Sequence, residues 1–232
     1  PEYQQPGKTP QESAMAAMTE LFGYFAKLVE EKRKKPGDDL VSLFAHLEVD
    51  GQRIPEMDVL TFCLIIVVAG NETTRNGTTG GMLAFIEHPE EMRKLVRTPK
   101  LIESAVEEVV RWVSPLIHFG RTATVDFELR GKAIQAGQAL ALFYPSANRD
   151  EEIFPDGDVF RVDRNPHHHL GFGVGEHFCL GSHVARLELA IAYKYLLPRI
   201  AEIEIAGAVE RLASSLVGGV KSAPPRTAKT LA

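Results

Sequence analysis

Apolar residues recur at helical spacing almost from the start of the chain. Met15, Met18, Leu21, Phe22, Phe25, Leu28 and Val29 share one helical face. Thr9-Pro10-Gln11-Glu12 reads as a capping box with Pro at the first helical position, and Pro36-Gly37 ends the run. A short helix over 40–47 and a turn at Asp50-Gly51 follow. Pro55 then opens a helical pattern that reaches about Glu87. At 1.5 Å per residue it would span about 50 Å. Residues 62–69 are apolar on every side, so this helix is expected to cross the core. Pro89 starts another short helix, and residues 101–112 form one more.

After Pro115 the period shortens. Residues 127–134 read as strand, turn and strand, and 139–144 as a further strand. Residues 148–175 are irregular and rich in Asp, Pro, Gly and His. A loop of that length inside a compact domain is usually functional. A last helix runs over about 180–197, and a β-like tail follows at 203–205 and 214–220. The expected class is α+β, mainly α with small sheets.

Composition narrows this little. The chain has 232 residues, 44% hydrophobic and 25% charged, with a net charge of −5. That is an ordinary globular balance, and the mild acidity argues against nucleic acid as a partner. Two cysteines make no disulfide framework and fit a reducing compartment. The longest apolar run, about 11 residues, falls short of the roughly 20 that a membrane span needs, and no signal peptide opens the chain. The polar, turn-rich opening over residues 1–9 looks cut from something longer.

The most specific chemistry lies in Phe172-Gly173-Val174-Gly175-Glu176-His177-Phe178-Cys179-Leu180-Gly181. A cysteine ends a glycine-rich loop just before a helix. Backbone N–H groups and the helix N-terminus both favour a thiolate there. Gly173, Gly175 and Gly181 leave room for a flat, bulky group beside the backbone. A single thiolate cannot build a zinc or iron–sulfur site, but it can serve as the axial ligand of a haem. The plain alternative is a structural cysteine in a glycine loop. His167-His168-His169 does not read as a metal site, because three consecutive imidazoles cannot face one point. His169 is expected to hydrogen-bond backbone within its loop.

The segment carries F-x-x-G-x-x-x-C-x-G and so resembles the haem-thiolate signature of the cytochrome P-450 superfamily. Residues 69–76 and 146–154 most resemble its bacterial sterol and terpenoid hydroxylases. The resemblance implies the C-terminal part of that fold, from about the family's helix G onward, as one haem-binding domain over 1–232. It implies haem b (iron protoporphyrin IX) on Cys179, with Phe172, Gly173 and Gly181 around it. It nominates Arg121 and His177 as propionate partners, although an ordinary surface arginine would look the same. In Ala69-Gly70-Asn71-Glu72-Thr73-Thr74 it implies an oxygen-binding groove, Thr73 holding dioxygen and Glu72 feeding protons. Read alone, that stretch is equally a helix surfacing from the core.

In the family, Glu108 and Arg111 at i and i+3 tie their helix to an arginine of the irregular loop. Arg164 of Arg164-Asn165-Pro166 stands in the matching place. The substrate wall is expected from Ile66, Ala69, Gly70 and Thr73, from Val113, Leu116 and Ile117, and from Leu216 and Val217. All are small, apolar or both, except Thr73, which suits a greasy substrate.

The expected activity is a soluble, cytoplasmic monooxygenase that takes dioxygen and a small apolar substrate, with electrons from a ferredoxin and ferredoxin reductase. The resemblance covers only the family's C-terminal half to three-fifths, so a long N-terminal portion is expected to be absent here. The alternative is accordingly a truncated haem-binding fragment without turnover. Peroxide-driven or rearrangement chemistry is a further rival, and Glu72-Thr73 speaks against it.

Overall fold

A computed structural model describes residues 6–165, 167–200 and 203–227. Most of the polar opening over residues 1–5, and Pro166, lie outside the described residues. The chain divides into two compact units, Pro1–Gly70 and Asn71–Ala232.

The first unit begins with helix α1 (Pro10–Lys34). Thr9 Oγ1 accepts from the Glu12 N–H at 3.2 Å, and Glu12 accepts from the Thr9 N–H at 2.7 Å, the reciprocal capping the spacing predicts. Helix α2 (Leu40–Ala45) is capped by Asp39, which accepts from the Ser42 N–H. The turn at Asp50-Gly51 closes a small hairpin, β1 (Glu48–Val49) with β2 (Gln52–Arg53). Helix α3 (Glu56–Glu87) follows and continues into the second unit. Phe25 and Val29 of α1, Ala45 of α2 and Val59, Leu60 and Cys63 of α3 form this unit's core.

Apart from Cys63, the all-round apolar stretch of α3 lies largely outside that core. Phe62, Ile65, Val67 and Val68 are 42%, 52%, 42% and 60% exposed. The core formed with α1 and α2 takes in Val59, Leu60 and Cys63, and these four lie outside it. By length and composition α3 is also the one helix among the described residues apolar enough to cross a membrane. Counting only the uninterrupted apolar run misses this, because scattered Gly and Thr leave the longer window apolar.

In the second unit, α4 (Pro89–Arg97), α5 (Ile102–Val113) and α7 (Ser182–Leu196) pack with the later turns of α3. Phe85, Val106, Val109, Phe160, Leu189 and Tyr193 are its buried centre. The Tyr193 hydroxyl donates to the carbonyls of Gly77 (3.0 Å) and Thr78 (3.2 Å), pinning α7 to α3. Glycine is needed at position 81, where a Cβ would run into the Tyr193 hydroxyl and come within 2.7 Å of Val109. Gly81→Ala is expected to lower unfolding stability by about 1–3 kcal/mol through overpacking, less up to about 1 kcal/mol of gained helix propensity. Urea unfolding checks this, and an unchanged midpoint would refute the tight approach.

The sheets are all two-stranded and antiparallel. The main pair is β3 (His118–Thr122) with β6 (Ala139–Phe143), in register from His118↔Phe143 to Thr122↔Ala139. β4 (Phe127–Leu129) pairs with β5 (Lys132–Ile134) around Arg130-Gly131, both at positive φ. β7 (Ile203–Ile205) pairs with β10 (Pro225–Thr227), and β8 (Glu210–Arg211) with β9 (Val220–Ser222).

Two predicted strands end differently. Tyr144 leaves the strand and opens the short helix α6 (Tyr144–Ala147), where Pro145 sets a helical φ and has no N–H for a ladder. Residues 214–219 form a turn with a single bridge, Leu116↔Val217, and the strand begins only at Val220, after Gly218-Gly219.

Candidate active site

The cysteine loop is built by its backbone. Gly173 and Gly175 adopt φ of 72° and 76°, left-handed values that a side chain would strain. The Gly173 N–H donates to Leu170 O (2.8 Å), and a single 3-10 turn covers Gly175–His177. The Cys179 N–H then donates to Phe172 O at 2.9 Å, closing the loop on itself. Gly181 differs from the other two: its φ is −82° and the space beside it is open. It stands at the N-cap of α7, whose first turn has no side-chain cap. Cys179 is half-buried, its carbonyl accepts the Ser182 N–H at 3.2 Å, and His177, Phe178 and Leu180 around it are exposed.

Arg121 lies within β3, opposite Leu140, and is exposed. Its Nη1 donates to Gly120 O, and it has no ion pair among the described residues. It lines a cavity of about 280 Å³ together with Tyr144 and with Leu170 and Val174 of the cysteine loop. An unneutralised guanidinium therefore faces the same space as that loop.

Glu108 and Arg111 are fully buried. Glu108 accepts from Arg111 Nε (2.7 Å) and Nη2 (2.8 Å), from Arg164 Nε (2.9 Å) and from the Arg161 N–H (2.8 Å). Arg111 Nη1 donates to the carbonyls of Asn148 and Gly157, which gathers the irregular loop around α5. Arg164 continues to Asp156, which its guanidinium, with that of Arg161, holds down at about pKa 2 against its burial. Asn148, which the sequence does not single out, extends the network. Its Oδ1 accepts from the Leu170 N–H at 2.7 Å and its Nδ2 donates to Ser114 Oγ at 2.9 Å.

On α3, Glu72 is paired with Arg75 Nη2 at 2.6 and 2.8 Å. Asn76, buried one turn beyond Thr73, reaches Glu72 at 3.4 Å, while its Oδ1 has no hydrogen-bond partner among the described residues. The tail turn closes against this helix, since a Cβ on Gly219 would come within 2.5 Å of Asn76 Oδ1. The same turn joins the segment after Trp112. Ile117 N–H donates to Leu216 O and Gly218 N–H to Pro115 O, each at 2.9 Å. Leu116, Ile117, Leu216 and Val217 thus come together, with Val113 at the end of α5. Ile66, Ala69 and Gly70 belong to the first unit.

No group of three or more His, Cys, Asp or Glu among the described residues can hold a metal ion. Cys179 is a lone sulfur donor three residues before α7, a helix that starts without a side-chain cap. This donor set fits a metal that brings its own equatorial ligands, as haem does. The Arg121 guanidinium on the adjoining cavity, without an ion pair among the described residues, fits a carboxylate-bearing rim.

Comparison with known proteins agrees. Residues 99–200 match the cytochrome P-450 family. The steroid C26-monooxygenase of Mycobacterium tuberculosis is 42% identical over 209 residues, covering 89% of this chain and 47% of that protein. The methyl-branched lipid omega-hydroxylase of the same species is 42% identical over 212 residues, 90% of this chain and 50% of that protein. The solved structure of the polyketide synthase cytochrome PksS from Bacillus subtilis superposes with a TM-score of 0.90 at 37% identity, covering 97% of this chain and 59% of that one. CYP109E1 of Bacillus megaterium, solved with corticosterone, gives a TM-score of 0.88 at 34% identity, covering 97% of this chain and 62% of that one. Residues 99–200 thus carry the sequence of the cytochrome P-450 family, and the chain has the corresponding part of that family's fold. It spans about half the length of the curated relatives it matches.

Proposed function

We propose that this chain is the haem-binding part of a monooxygenase that activates dioxygen to hydroxylate a sterol- or terpenoid-like substrate. The observation that carries the reading is the cysteine loop: a lone half-buried thiol fixed by Cys179 N–H to Phe172 O, at the uncapped start of α7. The named activities of the relatives, on a steroid and on a methyl-branched lipid, support the substrate class. Haem b, when bound, supplies the redox and oxygen chemistry.

The chain's own residues would do the rest. Cys179 Sγ would hold the haem iron as a thiolate, the one sulfur the loop offers. Phe172, Gly173 and Gly181 shape the loop beside the ligand. Arg121 and His177 pair with the two propionates. Thr73 Oγ1 and the Glu72 carboxylate hold and move protons, with Ala69 and Gly70 opening the groove next to them. For this, Glu72 must exchange its present partner, Arg75, for the groove side. Val113, Leu116, Ile117, Leu216 and Val217 form an apolar wall that excludes water and orients the substrate. Electrons come from a ferredoxin-type donor in the cytoplasm.

The test is the absorption spectrum of the haem-loaded chain, reduced under carbon monoxide, followed by product yield per reductant in Thr73→Ala. A strongly red-shifted Soret band and a loss of coupling in the variant are expected. A band at the position typical of neutral ligands overturns the thiolate assignment, and full coupling in Thr73→Ala overturns the relay.

A further inference from the structure

Helix α5 carries two adjacent carboxylates that serve separate anchors. Glu108 is consumed by Arg111, Arg161 and Arg164. Glu107 turns toward the cysteine loop. Its Oε1 and Oε2 accept from Arg186 Nε (2.5 Å) and Nη2 (2.9 Å) of α7, and Oε2 also meets His169 Nε2 at 2.9 Å. The other ring nitrogen, Nδ1, accepts the Gly171 N–H at 3.1 Å. That fixes the tautomer: Nδ1 is bare, so Nε2 carries the proton and donates to Glu107. The Arg186 guanidinium meanwhile lies over the Phe172 ring, 4.4 Å from its centroid. The Phe172 carbonyl is the one that receives the Cys179 N–H. Two routes therefore run from one carboxylate to the residues that hold the thiol, through His169 and Gly171 on one side and Arg186 and Phe172 on the other.

We infer that Glu107 is a positioning residue for Cys179, clamping both arms of the ligand loop to α5 and α7 through His169 and Arg186. This rests on the haem-thiolate reading of Cys179. Burial alone would raise the Glu107 carboxyl, but the hydrogen bonds from His169 and Arg186 outweigh it and hold it at about 2. The clamp is thus charged at any working pH. A charge-assisted, bidentate contact is the kind strong enough to fix a loop whose own backbone makes few ladder bonds. Glu107 touches neither the sulfur nor a substrate, so its effect is on geometry.

The experiment uses Glu107→Gln and Arg186→Lys in the full chain, with two readouts. The first is amide hydrogen exchange without haem. In Glu107→Gln the amides of residues 170–179 should exchange about tenfold faster, while those of α5 and the later turns of α7 hold. The second is the reduced carbon monoxide spectrum with haem. Part of the red-shifted band should move to the neutral-ligand position, with the thermal midpoint little changed. Arg186→Lys keeps the charge but loses the two-pronged contact, so it should behave as Glu107→Gln does. Unchanged loop exchange and an intact band in Glu107→Gln overturn the proposal. So does acceleration spread equally over the loop, α5 and α7, which marks a merely structural role. If the unsubstituted chain shows no red-shifted band, the thiolate reading fails by itself, and the exchange measured without haem still decides whether Glu107 holds the loop.

Discussion

Glu108→Ala is expected to cost about 3–5 kcal/mol, about a fifth or more of the stability of an ordinary domain. The reason is the charge it strands. Removing the carboxylate leaves the Arg111 guanidinium, with no exposed surface, hydrogen-bonded only to carbonyls, and takes one of two counter-charges from Arg164. The Arg161 N–H loses its acceptor as well. Arg111→Leu should cost nearly as much, since Asn148 and Gly157 each lose a donor while Glu108 keeps Arg164. Replacing both with apolar residues should cost clearly less than the two single losses added together, because the pair's desolvation disappears with it. Urea unfolding of the three variants decides the matter. A Glu108→Ala loss under about 1 kcal/mol would show the network to be wetter than it is drawn here. The acid side follows the same logic. Asp156 has a folded pKa lowered from 3.8 to about 2, chiefly by Arg164. Its contribution is therefore complete above pH 3.8 and is lost as the pH falls through about 2.

The cysteine loop, the capped α1, the limits of α3 and the Glu108–Arg111 pair with Arg164 are legible because each is a local pattern. Capping, periodicity and glycine spacing act within a few residues. The Glu107 clamp is not local. It joins residues 62 and 79 positions apart, and no period or spacing links them. Its only trace in the sequence is that α5 carries two acids in a row while a single carboxylate answers Arg111 and Arg164. Asn148 and Asn76 escape for the same reason, since burial decides their importance and composition does not report it. The exposed middle of α3 is the opposite case. Hydrophobicity states that a surface favours burial, whereas the partners that bury it are a tertiary fact. At Tyr144 one local rule overrode another: the alternation of a strand gave way to Pro145.

Cys179→Ala should abolish the red-shifted band entirely while leaving the fold nearly intact. The two effects separate because the side chain and the backbone do different work at this position. The Cys179 N–H to Phe172 O bond and the Ser182 N–H to Cys179 O bond survive the substitution, as do the left-handed Gly173 and Gly175. The side chain itself is half-buried, so its truncation removes little packing. The residues on either side of the sulfur, Phe178 and Leu180, carry no donor to replace it. Cys63 is the internal control. It is buried in the core of the first unit, and that burial pushes its thiol pKa up, which disfavours the thiolate a metal needs. Cys63→Ala should therefore keep the band in full. Spectra of both variants, each loaded with haem, reduced and exposed to carbon monoxide, give an all-or-none answer. A band that persists in Cys179→Ala and vanishes in Cys63→Ala would move the ligand to the other cysteine and undo the site. A band lost in Cys179→Ala alone, with unfolding free energies within about 1 kcal/mol of each other, would leave Cys179 as the ligand and its loop as a scaffold that stands without the sulfur.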